Sequence, residues 1–331
     1  MKSNRELREE AWKRLFGDGW FWKLLGGAIL LGLCGNAIST VISSLVRLAG
    51  VTDFSTLVET IKEAKANGRE IPTIDGSLVG QLVSSGLLEL FIGIIVGGIV
   101  AYGTGVILKK CVYGDAEHWL GEAFAGFKCP FEMAWLLLRQ TLIFMGWGIL
   151  GGIPLGVAGF VINRLIRSGT SDLTDSAIIA FLVSVSLCAM VAALAVPFYR
   201  YRFLWLIKAE NPELPAAECL RVSRKLMDGR KWDSFLLDMS YWRPLALLFA
   251  MIMLMCGLVG WLFWSGIGEA GFGPLEAMMI LVLILLYIGL IVCGVVVSNY
   301  VSVGQGLFYR EIKGAFRNTD ENADGTSPLD A

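Results

Sequence analysis

Six apolar runs, each long enough to cross a bilayer, constrain this chain more than anything else in it. They are read at residues 20–46, 82–108, 131–163, 177–209, 235–263 and 275–308. A helix needs about 20 residues to traverse the hydrocarbon core, so every run has length to spare for tilt. The predicted fold is all-α: a polytopic membrane protein, one domain of six transmembrane helices with interfacial amphipathic helices. Composition points the same way, since 55% hydrophobic and 17% charged residues lie outside the usual soluble balance.

Charge segregation sets the expected orientation. The segment Tyr199–Trp232 carries Arg200, Arg202, Lys208, Arg221, Arg224, Lys225, Arg230 and Lys231 between two apolar runs. Short Lys/Arg-rich loops stay on the cytoplasmic side, so this hinge places both flanking helix ends inside. Of the 28 Lys and Arg residues, only Arg47, Lys62, Lys65, Arg69, Arg164 and Arg167 then fall outside. Both termini are expected in the cytoplasm. None of the 7 cysteines falls in an expected outer loop, so free thiols are predicted.

Along the chain, residues 1–19 read as an interfacial N-terminal element. Ser3-Asn4-Arg5-Glu6 is a capping box, Leu7, Ala11 and Leu15 share a face, and Gly17 is the stop. Arg5, Arg8, Lys13 and Arg14 would meet anionic headgroups while Trp12 and Phe16 dip into the acyl boundary. The first apolar run is too long for a signal-peptide core and reads as a retained anchor. The outer stretch Ser55–Ala66 is expected to form a short surface helix. In the second run Gly93, Gly97, Ala101 and Gly105 form a small-residue stripe suited to helix packing within the bundle or between protomers. Gly151-Gly152-Ile153-Pro154 predicts a kink or unwound turn in the third run. The fourth is expected to continue through Pro197 as one helix ending before Asn211. A cytoplasmic amphipathic helix is expected at 212–229, opened by Pro215 and closed by Gly229. The tail at 314–331 reads as polar and disordered.

Several stretches carry a family resemblance. They are Ala11-Trp12-Lys13-Arg14-Leu15-Phe16-Gly17, Phe124-Ala125-Gly126-Phe127, Asn211-Pro212 with Glu218, Ser223 and Leu226-Met227-Asp228-Gly229, and finally Tyr300 with Phe308-Tyr309. In these the chain resembles bacterial integral membrane proteins grouped under a domain of unknown function, similar in plan to the membrane domain of glycerophosphodiester phosphodiesterases. It departs from their pattern at Cys219, where Ala is usual, at Asn299, where Pro commonly precedes the Tyr, and at Pro244, near an expected Trp. The resemblance implies a six-helix fold and residence in a bacterial membrane, and the localisation expected is the inner membrane; the resemblance brings no catalytic residues.

Ionisable groups inside spans are costly, by about 2.5–3.5 kcal/mol on insertion scales, and so mark candidate sites. Arg139, Gln140, Asp238, Arg243, Asn299 and Gln305 share a depth near the inner face, with Arg200 and Arg202 at the adjacent helix end. Together they predict a net-positive cavity for an anionic lipid headgroup or solute, with Asp238 pairing one arginine; the plainer alternative is a set of interhelical bonds that satisfy one another. Asn36 and Glu89, nearer the outer side, read as helix glue before they read as a carrier site. Cys111, His118 and Cys129 match no standard zinc spacing, so no metal is expected. No Gly-rich phosphate loop, nucleophile elbow or nucleic-acid module is present, and no cofactor is implied.

The function expected is non-enzymatic: binding lipid or moving a small solute through the inner polar group. The alternative is a scaffold that docks a cytoplasmic protein through Arg221, Arg224 and Lys225. Membrane lipids are the expected partners in either case, nucleic acid is not, and a homo-oligomer is compatible with the small-residue stripe.

Overall fold

In a computed structural model, residues 2–48, 76–115, 117–167, 173–264 and 274–323 are described. They form helices, turns and no strand. The helices are α1 (Asn4–Trp12), continued by a π turn (Lys13–Gly17), α2 (Trp20–Leu48), α3 (Gly76–Tyr113), α4 (Trp119–Ala123) with a 3-10 turn (Phe124–Lys128), α5 (Pro130–Arg167) and α6 (Leu173–Arg200). Then follow α7 (Leu204–Glu210), α8 (Ala216–Leu226), α9 (Lys231–Ser240), α10 (Trp242–Trp264) and α11 (Pro274–Ala323). Among the described residues 6 stretches are long and apolar enough to cross a membrane: Trp20–Val41, Leu87–Tyr113, Pro130–Arg164, Ile178–Glu210, Trp242–Gly260 and Met278–Phe316. The all-α, six-span expectation holds. The expected Ser55–Ala66 helix and the loop at 265–273 lie outside the described residues.

The chain divides into two compact units. One comprises Gly27–Val106 and His118–Val222. Its helices approach through glycines whose missing Cβ leaves room for a neighbouring backbone. A Cβ on Gly98 would stand 2.6 Å from the Met133 carbonyl oxygen, one on Gly103 2.7 Å from that of Ala123, and one on Gly105 2.8 Å from that of Trp205. Of the stripe read from sequence, Gly97 and Gly105 face neighbours within this unit, whereas Gly93 faces open space. Gly98 and Gly103, off that stripe, make equally close approaches. Tyr102, Val106, Met133 and Ala209 form the buried cluster at the centre, with Ala125 and Trp205 packed on it.

Two expectations about this unit are corrected. No turn unwinds at Gly151–Pro154, because α5 runs through Pro154 without interruption. Gly151 lies against α6, where a Cβ would meet that of Ala193 at 2.7 Å, and the Ser186 hydroxyl of α6 donates to the Pro154 carbonyl at 3.2 Å. Packing on the neighbouring helix holds the weak segment in register. The fourth span, in contrast, does not run straight to Asn211. It breaks at 201–203, where the Leu204 amide donates to the Tyr201 carbonyl at 3.2 Å. Tyr201, Phe203 and Leu204 are all buried. Residues two apart on a helix point to opposite sides, so a straight helix could not bury both aromatic rings on one side.

The other unit comprises Met1–Gly26, Ile107–Glu117 and Ser223–Ala331. The capping box of α1 forms: the Glu6 amide donates to Ser3 Oγ at 3.3 Å, and the Ser3 amide donates to Glu6 Oε2 at 2.8 Å. Leu7, Ala11 and Leu15 are buried, so the apolar face read from sequence is the packed one. Glu10 accepts from Lys2 at 2.7 Å and from Arg310 at 2.9 Å, and Arg310 also donates to the Val112 carbonyl at 3.0 Å. Burial alone would raise the Glu10 carboxyl, but the hydrogen bonds from Lys2 and Arg310 outweigh it and hold its pKa below the usual 4.5.

Here too the sequence expectation changes at two places. The fifth span does not begin at Phe235, because α9 ends at Ser240 and a turn at Tyr241 separates it from α10. Pro244 has no N–H to offer the Ser240 carbonyl four residues back. Arg8 Nη1 takes that acceptor instead, at 2.6 Å. The turn seats the fully buried Tyr241 against Gly304, where a Cβ would collide with its hydroxyl. At the other end α11 does not stop near Phe308 but remains helical to Ala323, so residues 314–323 are not the disordered tail expected.

Candidate functional site

The expected inner polar residues are divided between the two units. Arg139, Gln140, Arg200 and Arg202 belong to the unit built from 27–106 and 118–222; Asp238, Arg243, Asn299 and Gln305 belong to the other. Within the latter, Gln305 is buried and donates to Asp238 Oδ1 at 2.8 Å, while its own oxygen accepts from Ser234 Oγ at 3.1 Å. This is an interhelical network of α9 and α11. The Asn299 Nδ2 is buried without a hydrogen-bond partner, and Arg243 is exposed on α10 with its guanidinium 6.0 Å from the Trp242 ring.

The unit holding Arg139 contains a cleft of about 260 Å³ lined by Glu132, Trp135, Arg139, Lys208, Pro215, Ala216 and Ala217. Three segments build it. The first turns of α5 bring Glu132, Trp135 and Arg139, at helical spacings that put all three on one side. The end of α7 brings Lys208, and the start of α8 brings the proline and alanines.

Lys208 is the residue that sequence reasoning missed. It stands in the basic hinge, yet its side chain is only 2% exposed. Its ammonium donates to the carbonyls of Pro212 at 2.6 Å and Leu214 at 2.8 Å and to Glu132 Oε2 at 3.3 Å. An ammonium has three donors, so these partners saturate it. Lys208 is thereby a clasp on the 211–215 turn and a fixed positive charge under the cleft. The signal available in the sequence was Asn211-Pro212 and Pro215, whose turn leaves carbonyls in need of donors just after the helix end.

Arg139 stands differently. Its guanidinium lies 4.9 Å from the Trp135 ring centroid, a cation–π arrangement, and makes no hydrogen bond or ion pair among the described residues. Its donors are thus open to a ligand. Gln140, its neighbour, points elsewhere and accepts from Trp205 Nε1 at 3.0 Å. Arg200 and Arg202 sit at the α6 break, with Arg202 placed over the rings of Phe198 at 5.1 Å and Tyr199 at 5.5 Å. Beyond the cleft, Trp135, Leu142 and Ile149 repeat every seventh residue along α5 and are exposed, with Phe131 and Met145 beside them.

Residues 1–315 match the family described as "Protein of unknown function (DUF975)". The chain belongs to DUF975. No curated protein and no solved structure matches it. The family match spans every segment of this DUF975 protein from α1 to the cytoplasm-facing half of α11 expected from sequence, so α1 and the cleft both lie within it. Other sequence candidates sit apart from the cleft. Glu89 and Asn36 are exposed on α3 and α2. Among the described residues no cluster of His, Cys, Asp or Glu could hold a metal ion, and the 7 cysteines are free. In α8, Arg221, Arg224 and Lys225 are exposed while Ser223 and Leu226 are buried, as is Met227 just beyond its end, the division expected of an amphipathic helix.

Proposed function

We propose that this multi-pass protein is a non-enzymatic component of the bacterial inner membrane that binds an anionic lipid headgroup in the Arg139 cleft. One observation carries the reading: an unpartnered guanidinium at the cleft continues directly into an exposed apolar helix face. A phosphate would take donors from Arg139 above the fixed charge of Lys208, and the acyl chains would lie along Trp135, Leu142 and Ile149. Such a continuation suits an amphiphile better than a small solute in transit. The distribution of Lys and Arg supports cytoplasmic termini, which sets the cleft toward the inner leaflet.

Native mass spectrometry of the gently solubilised protein, with lipid identification, tests this on wild type, Arg139→Ala and Arg243→Ala. Wild type and Arg243→Ala are expected to retain one more anionic lipid per chain than Arg139→Ala does. Equal retention by Arg139→Ala would overturn the proposal.

A second reading rests on α8, where Arg221, Arg224 and Lys225 are all exposed, with Arg221 paired to Glu218 at 2.6 Å and Lys225 over the Phe316 ring at 4.9 Å. It makes the protein a membrane scaffold for an acidic cytoplasmic partner. Charge reversal at these positions would abolish capture of that partner and leave lipid retention unchanged.

A further inference from the structure

A second cleft, of about 310 Å³, opens on the α1 side of the other unit and is lined by Arg5, Arg8, Glu9, Trp12 and Tyr300. Its charges are unequal in availability. Arg5 Nε donates to Glu9 Oε1 at 2.8 Å, so these two largely neutralise one another. Arg8 is left as the uncompensated cation. One end of its guanidinium is committed to the Ser240 carbonyl that Pro244 leaves without a donor. Its Nε is buried and has no hydrogen-bond partner.

The surrounding groups hold Arg8 in place and give the cleft an aromatic wall. The Tyr300 hydroxyl donates to the Arg8 carbonyl at 3.2 Å. The Tyr300 ring is fixed edge-on between Trp12, at 5.5 Å, and Tyr241, at 4.7 Å. Trp12 is half exposed and stacks toward Phe16, at 4.3 Å, which in turn meets Phe21 at 5.4 Å. An exposed aromatic row beside a cation is how proteins seat themselves at the headgroup level of a bilayer.

We infer that this cleft binds the phosphodiester of a membrane phospholipid, with a phosphate oxygen held by the Arg8 guanidinium that lines it and the glycerol backbone lying against Trp12 and Tyr300. One uncompensated cation matches the single negative charge of a phosphodiester. The site does not depend on the Arg139 cleft, and its test is run so that the two are separable.

In an Arg139→Ala background, the full chain in detergent is titrated with short-chain phosphatidylglycerol, with the corresponding diacylglycerol, and with inorganic phosphate, and bound species are counted by native mass spectrometry. One phosphatidylglycerol is expected to bind, diacylglycerol is not, and Arg8→Lys, which keeps the charge but loses the planar guanidinium, is expected to weaken binding about tenfold or more. On the unmutated chain, a phospholipid carrying a photoactivatable group next to its phosphate should cross-link to peptides holding Trp12 or Tyr300. Unchanged affinity in Arg8→Lys, equal binding of diacylglycerol, or cross-links confined elsewhere overturns the inference. Inorganic phosphate binding as tightly as the lipid overturns the lipid as its source.

Discussion

Replacing Lys208 by Met gives the sharpest test of how the Arg139 cleft is held. Methionine keeps the length and apolar stem but offers no donors to the carbonyls of Pro212 and Leu214, now 2.6 and 2.8 Å from the ammonium. An acceptor left without its partner in a covered site costs about 1–3 kcal/mol. The Leu214 oxygen retains only the weak Cys219 thiol at 3.7 Å. Pro212 is exposed, so water can take its carbonyl, and the loss is roughly 1–3 kcal/mol. The ion pair adds little, because the Glu132 side chain is 63% exposed and such pairs are worth about 0–1 kcal/mol after solvent screening. Unfolding of wild type, Lys208→Met and Glu132→Gln in mixed micelles would be compared by equilibrium titration with a denaturing detergent. Lys208→Met should lose several times more stability than Glu132→Gln. Equal losses would refute the assignment of Lys208 as a clasp on backbone carbonyls and make it one half of a salt bridge.

Further outcomes follow from the local chemistry. The Glu10 carboxyl has its pKa held below the usual 4.5 by Lys2 and Arg310, so its contribution is complete above about 4.5 and disappears as pH falls through the lower folded value. Hydrogen exchange of α1, compared pairwise between wild type and Glu10→Gln, should therefore show stronger protection of wild type at pH 7 and a difference that shrinks as the pH is lowered below 4.5. Gly304→Ala must displace the buried Tyr241 hydroxyl and should destabilise the protein by about 1–3 kcal/mol, measurable by thermal unfolding in detergent. Burial pushes the Cys219 thiol up from its ordinary pKa of 9.0, whereas Cys129 is exposed. Maleimide at pH 7 should label Cys129 and spare Cys219 until the protein is denatured, as read by peptide mass spectrometry.

The spans and the caps were legible in the sequence for a physical reason: both rest on residues close together along the chain. Apolar length gave the six helices, and Ser3 with Glu6 gave the α1 cap. The breaks at 201–203 and at Tyr241 were not legible as such, because each exists to bury aromatic rings that only the folded chain brings to a surface. Pro244 was noticed but its consequence was not, since the replacement donor, Arg8, lies 232 residues away. Lys208 shows the same limit. A lysine in a run of cations reads as solvated, and only Glu132 and the returning 212–214 backbone turn it inward. Of the eight residues proposed for one polar site, the local reading of depth was the part available; which of them share a unit depends on packing that depth does not encode.

Helix α11 has 50 residues and, at the usual rise, follows a path of about 75 Å, of which the hydrocarbon layer takes about 30 Å. The remainder makes it a lever arm. A pivot of 10° within the layer would sweep a point about 40 Å along the helix through roughly 7 Å. Arg310 is where α1 grips this arm through Glu10. Losing the Glu10–Arg310 contact would leave the end of α11 beyond Arg310 without that tie to α1.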